Sequence, residues 1–249
     1  MISKAYSAKG LMTKKRVAII FGGRSSEHEV SLVSATAIMR NLDPSRYDVL
    51  PVGITKQGEW RLGANILSEL KSGSRLTALP ALLSTDHTQK GLVVSALEQR
   101  VFEKIDIAFP VVHGPFGEDG TLQGLLEMLN VPYVGCGVLA SSVAMDKIVF
   151  KQLMRSLSIP VAVDVAFTAH EWRKDSKKIL SAITKTCTLP VFVKPANMGS
   201  SIGVTKVKTL DALGSAIHAA LRYDSRNIVE QGISSAREIE MAVLGNDDH

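Results

Sequence analysis

The chain has 249 residues, enough for one or two domains, and 45% of them are hydrophobic, enough to bury a substantial core. That hydrophobicity and a net charge of only +5 exclude disorder over the bulk of the chain, and no apolar run approaches the roughly 20 residues of a membrane span. Five of the 29 basic residues (Lys4, Lys9, Lys14, Lys15 and Arg16) sit in an acid-free start; without them 24 basic residues face 24 acidic ones, so the charge points to no nucleic-acid partner.

Residues 1–15 read as an extension or tail, with a natural start at Met12, or else as an acid-free organellar transit segment, and the apolar run at 17–21 is too short for a secretory leader. Cys136 and Cys187 make no disulfide framework, which suits a reducing cytoplasm. Short β-branched runs then alternate with longer helical segments, the rhythm of an α/β fold. Residues 17–21 read as a buried strand running into Gly22 and Gly23. Residues 29–42 read as a helix, with Val30, Val33, Ala37 and Ile38 near helical spacing, and 47–54 as a second strand. No firm period emerges over 55–100. A third strand is expected at 105–112, broken by Pro110. A helix over 121–129 takes Thr121 as its N-cap, and a strand follows at Tyr133 and Val134.

One helix is expected over 141–157, ended by Ile159 and Pro160. The rhythm then restarts with a strand from Val161, a helix at 172–186 and strands at 191–194 and 204–207. A helix at 211–222 and strands at 227–231 and 238–244 complete it. The glycines around Gly137 suggest a hinge and a domain boundary.

Four segments carry candidate chemistry. Around Glu27, two glycines lead from a strand to a helix start, a candidate site for an anion or a carboxylate, although Glu27 and Glu29 could simply complement the helix dipole. The run from His113 to Gly124 packs four glycines between a strand and a helix, at the strand end where open α/β sheets bind ligands. His113 has no zinc-spaced partner and reads as a hydrogen-bonding residue of a binding loop. Lys194 ends a buried strand and precedes a Gly/Ser loop, Gly199-Ser200-Ser201-Ile-Gly203, which reads as a phosphate cradle or as an ordinary hairpin. Glu230, Gln231 and Gly232 close a strand in a manner compatible with a nucleotide hinge.

Taken in order, the motifs Gly22-Gly-x-Ser-x-Glu27-x-Glu-Val-Ser31, His113-Gly-x-x-Gly-Glu-Asp-Gly-x-Leu-Gln-Gly124, Met145-Asp-Lys147 and Lys194-Pro-x-x-x-Gly-Ser-Ser-x-Gly203 resemble the D-alanine–D-alanine ligase family of the ATP-grasp superfamily. The resemblance runs from about Arg16 to the end. It implies an N-terminal domain with an open parallel sheet (16–137), a central α+β ATP-grasp domain (138–234) and only the start of a C-terminal ATP-grasp domain (235–249), so the chain is expected to be truncated. The family activity is the ATP-dependent joining of two D-alanines through an acylphosphate, for peptidoglycan precursors. By resemblance, Glu27, His113 and Ser200 are catalytic, and Glu27, Val30, Ser31 and His113 bind the first D-alanine. Lys147, Lys194, Gly199, Ser200, Ser201, Glu230, Gln231, Ile233 and Glu238 bind ATP. Mg²⁺ is implied as cofactor, with ligands expected beyond His249 and none in this chain. The implied partners are D-alanine and ATP, with a second copy in a cytoplasmic homodimer, and no membrane or nucleic acid. Alternatives are a ligase using D-lactate or D-serine, another ATP-grasp enzyme, or a nucleotide-binding fragment without activity.

Overall fold

The computed structural model describes residues 13–96 and 99–245. Met12 and most of the expected tail, and the last four residues, lie outside them. The chain divides into two units, Met1–Phe150 with Asn197–Ile202, and Lys151–Ala196 with Gly203–His249.

The first unit is built on β1 (Lys15–Gly22), α1 (His28–Asn41), β2 (Tyr47–Ile54), β3 (Trp60–Leu62), α2 (Ile66–Ser72), β4 (Leu79–Leu83), β5 (Gly91–Ala96), β6 (Gln99–Lys104), β7 (Ile107–Pro110), α3 (Thr121–Met128) and α4 (Val138–Met145). Its sheet has seven strands in the order β6-β5-β4-β3-β2-β1-β7. Only β2, β1 and β7 are parallel, and β3 to β6 extend the sheet in antiparallel fashion. The sheet expected to be open and parallel is therefore mixed, because residues 55–100 add short, closely spaced strands.

β1 is covered on both faces, as its unbroken apolar run requires. Ala18 and Ile20 join Val52, Ala108, Leu122 and Leu126 in one cluster, while Val17, Ile19 and Phe21 join Leu32, Ala35, Ile66 and Val111 in another. Both faces are thus sealed, and chemistry is left to the carboxyl ends of the parallel strands.

The second unit holds β8 (Asp164–Thr168), α6 (Ala169–Lys174), α7 (Ser176–Thr186), β9 (Val191–Pro195), β10 (Thr205–Val207), a 3-10 turn (Leu210–Ala212), α8 (Leu213–Ala220) and β11 (Arg226–Gln231). Its four-stranded sheet has the order β10-β9-β11-β8, antiparallel throughout. Phe167, Trp172, Ile183, Val193, Ile217 and Val229 form its core.

Several expected elements are corrected. Gly120, at φ 90°, is the N-cap of α3 rather than Thr121; Asp119 accepts from the Thr121 amide and hydroxyl instead. The helix expected at 141–157 is two, α4 and α5 (Lys147–Ser156), parted at the extended Asp146, whose carboxylate accepts from the Ile148 and Val149 amides. Likewise 172–186 is split between α6 and α7, each started by its own cap, Thr168 in a capping box with Glu171 and Asp175 on Lys178. Pro110 pairs with Ile20 and ends β7 instead of breaking it. Tyr133 makes a single bridge to Ala108, not a strand. Residues 238–244 form no strand: they are irregular and exposed, since a strand needs a hydrogen-bonded neighbour and none of the described residues supplies one. Among the described residues no helix is long and apolar enough to cross a membrane.

Candidate active site

In the first unit the chain leaves β1, turns at Ser25 and enters α1 with Glu27 at the N-cap position. Ser25 Oγ accepts from the Glu27 amide at 3.2 Å and donates to the His113 carbonyl at 2.7 Å, which ties the ends of β1 and β7 together. The Glu27 side chain makes no cap hydrogen bond to α1. The residue is 6% exposed; its Oε1 accepts from Ser200 Oγ, and its Oε2 is buried with no hydrogen-bond partner among the described residues.

Two glycines make room for this carboxylate. A Cβ on Gly114 would lie 2.2 Å from Glu27 Oε2, and one on Gly199 would lie 3.1 Å from it. Gly114 also has φ 71°, a conformation that L side chains rarely adopt. An ionised carboxylate offers about four acceptor positions and an ammonium brings three donors, so a primary ammonium matches the unused capacity. Burying such an oxygen unpaired costs roughly 1–3 kcal/mol, an arrangement expected at a binding site more than in a core.

His113 lies beside this carboxylate. Its Nε2 is 3.0 Å from Ser34 Oγ and its Nδ1 is 3.5 Å from Glu118 Oε1, while the other Glu118 oxygen accepts from the Gly114 amide at 2.8 Å. The Glu118 hydrogen bond raises the His113 pKa above its ordinary 6.5; burial opposes this, and the charges of Glu118 and Glu27 add to it. Glu118 is held below its usual range by the His113 hydrogen bond, against burial. The pair faces a cavity of about 520 Å³ that Ser34, Val111, Gln123 and Cys136 also line.

The loop Asn197–Ile202 contributes to this cluster twice. Ser200 reaches Glu27, and the Met198 carbonyl accepts from Lys147 Nζ at the start of α5. Ser200 and Ser201 both have left-handed backbones, φ 45° and 57°, and the Ile202 amide closes the turn on the Gly199 carbonyl. Glu27, His113, Lys147, Gly199 and Ser200 thus come together. Val30 is 53% exposed, while Ser31 is fully buried and is spent on the backbone, accepting from the Gly22 amide at 2.7 Å and donating to the Val111 carbonyl.

In the second unit Lys194 on β9 and Glu230 on β11 meet across the sheet. Lys194 Nζ donates to Glu230 Oε2, and Lys151 Nζ lies 2.9 Å from Glu230 Oε1. Burial pushes the Glu230 carboxyl up, but the hydrogen bonds and charges of Lys194 and Lys151 outweigh it and hold the group below the usual carboxylate range. The Gln231 amide donates to Val163 and its side-chain oxygen accepts from the Thr188 amide. Ile233 and Glu238 are exposed in the irregular segment after β11, apart from this cluster. Sequence reasoning missed Lys151 and Asp164, which lie 2.9 Å apart; the one signal was a lysine a helical turn after Lys147. Among the described residues no group of three His, Cys, Asp or Glu side chains could hold a metal ion.

Comparison with known proteins resolves the family. Residues 16–136 match the D-ala D-ala ligase N-terminus model and residues 153–249 the D-ala D-ala ligase C-terminus model. The D-alanine–D-alanine ligase of Caldicellulosiruptor bescii is 46% identical over 237 residues, and that of Geobacillus thermodenitrificans 44% over 238.

The chain belongs to the D-alanine–D-alanine ligase family.

It spans 65% of the length of each of these two relatives, which in turn cover 95% and 94% of it. Among solved structures of the family, the VanG D-Ala:D-Ser ligase from Enterococcus faecalis is similar at TM-score 0.77 and 37% identity, over 89% of this chain and 64% of that one. The D-alanine-D-alanine ligase from Coxiella burnetii is similar at TM-score 0.75 and 33% identity, over 88% of this chain and 62% of the other.

Proposed function

We propose that the chain carries substrate-binding machinery of an ATP-dependent ligase that joins two D-alanines through an acylphosphate, supplying peptidoglycan precursors. The observation that supports this best is the Glu27 carboxylate, buried beside two glycines, with one oxygen on Ser200 and the other unpartnered among the described residues. Glu27 binds the ammonium of the first D-alanine, and His113, its positive form favoured by Glu118, faces that substrate's carboxylate. An oxygen of this carboxylate takes the γ-phosphoryl group of ATP, and ADP leaves. The neutral amine of the second D-alanine then attacks the acylphosphate carbon, expels phosphate and gives up a proton.

Such a transfer relies on positioning and on stabilising charge, which is the work of two lysines rather than of a nucleophile. Lys147 and Lys194 contact the nucleotide phosphates, and the loop Gly199, Ser200 and Ser201 covers them against water. Glu230, Gln231 and Ile233 form the adenine hinge, and Glu238 binds the ribose hydroxyls. Mg²⁺ enters this reading through the family alone, and no residue of the chain is assigned to it. Division into domains at 16–137, 138–234 and 235–249, cytoplasmic residence and a homodimer belong to the same proposal. The likeness to a D-Ala:D-Ser ligase makes D-serine the second acceptor to try.

Calorimetry tests both halves, on the 249-residue chain and on one extended to the relatives' length. Glu27→Gln is expected to weaken D-alanine binding, and Lys147→Ala and Lys194→Ala to weaken binding of a non-hydrolysable ATP analogue, each by about tenfold to a hundredfold. Wild-type affinity for D-alanine in the first variant refutes the ammonium site. Wild-type nucleotide affinity in both lysine variants refutes the phosphate contacts.

A further inference from the structure

Lys151 is a buried cation that the proposed function leaves unused. It sits in α5, is 6% exposed, and its ammonium lies 2.9 Å from both Asp164 Oδ1 and Glu230 Oε1. Asp164 in turn pairs with Arg155. Lysine is seldom buried unless paired, and here one ammonium joins two strands of the sheet, β8 and β11, at the last residue pair of their ladder. The two lysines divide the Glu230 carboxylate between them, Lys151 on Oε1 and Lys194 on Oε2. Each oxygen keeps a second lone pair, so the carboxylate can still accept from an N–H donor.

We propose that Lys151 is a positioning residue for nucleobase choice: anchored on Asp164, it fixes the Glu230 carboxylate as an acceptor that takes the amino group of adenine and rejects the keto oxygen of guanine. This rests on the assignment of Glu230 to the nucleotide hinge. An ionised carboxylate has lone pairs and no proton to give, so an amino group satisfies it and a keto oxygen repels it. Released from Lys151, Glu230 can turn toward Lys194 or take up a proton, and a protonated carboxyl can donate to a keto oxygen. The same removal changes no group that faces the phosphates except through Glu230. Its effect therefore falls on which base is bound.

The test compares a non-hydrolysable ATP analogue with its GTP counterpart by calorimetry on the 249-residue chain and its variants. Lys151→Met is expected to lower the preference for the ATP analogue over the GTP analogue by about tenfold or more, and Lys151→Arg to restore part of it. In a Glu230→Gln background Lys151→Met should have no further effect on that ratio, whereas a merely structural role would lower both affinities in either background. If Lys151→Met does not fold, Asp164→Asn carries the test, with a smaller loss of discrimination expected. An unchanged ratio in every folded Lys151 and Asp164 variant, while Glu230→Gln lowers it, overturns the proposal and leaves the hinge assignment in place. A ratio unmoved by Glu230→Gln itself, or no affinity for the ATP analogue in either the 249-residue chain or one extended to the relatives' length, overturns the hinge assignment and the proposal with it.

Discussion

Replacing Gly114 by alanine tests the geometry of the substrate cluster most directly. Two separate costs apply. The backbone at φ 71° penalises any L side chain by about 1–2 kcal/mol, and the new Cβ would lie 2.2 Å from Glu27 Oε2, far inside contact distance. Moving a buried carboxylate to admit a methyl group resembles overpacking, which costs about 1–3 kcal/mol. Gly114→Ala should therefore destabilise the first unit by roughly 2–5 kcal/mol. The two costs separate in a Glu27→Ala background, where the overlap is gone and only the backbone cost of about 1–2 kcal/mol remains. Urea unfolding followed by tryptophan fluorescence suits the question, because the chain has two tryptophans, Trp60 in the first unit and Trp172 in the second. A Trp172→Phe background leaves Trp60 as the reporter of the first unit. An equal loss in both backgrounds would show that the Glu27 carboxylate does not lie against Gly114, and no loss at all would refute the backbone conformation too.

Glu118→Gln should bring the His113 midpoint back down toward 6.5, followed by the imidazole proton resonances; an unmoved midpoint would mean that Glu118 is not what raises it. The sign of the stability effect follows from both partners. The raised imidazole contributes fully below 6.5 and loses its contribution as pH rises through its higher folded value, while the depressed Glu118 contributes above 4.5 and loses its share as pH falls through its lower folded value. Ser31→Ala strands a buried amide at Gly22 and a carbonyl at Val111, and should cost about 1–3 kcal/mol in the same urea assay; a neutral result would contradict the bridging role of its hydroxyl.

The parts of the fold that were legible are those where local chemistry and tertiary demand agree. β2 runs over Tyr47–Ile54 as expected, and β1 shows as an apolar run because both of its faces are covered. Between 55 and 100 the strands are short, and half-buried Trp60 and exposed Leu82 show no core-facing period strong enough to read. The helix breaks at Asp146 and Asp175 were hidden for a different reason. Neither is a glycine or proline, and each acts through a side-chain cap on the helix that follows, which a periodicity search cannot distinguish from a polar position in a continuous helix. At the site, Glu27 and Ser200 stand 173 residues apart and meet through hydrogen bonding, visible beforehand only through family resemblance. Lys151 was missed because a lysine on a helix ordinarily points to solvent, and its burial depends on acids supplied by β8 and β11.

The two ends of the seven-stranded sheet bear on how copies of this chain could associate. An open sheet offers unpaired amides and carbonyls along its outer strands, a template for uncontrolled strand addition. At one margin β6 carries Arg100, Glu103 and Lys104 among its six residues, so a neighbouring strand would have to accommodate charges along its length. At the other, β7 is four residues long, ends in a proline without an amide proton, and its Ala108 is already hydrogen-bonded on its outer side to Pro132 and Val134. Runaway polymerisation by sheet extension is therefore opposed at both margins, by charge at β6 and by occupied or missing donors at β7. Pairing of copies through either end of this seven-stranded sheet is disfavoured accordingly.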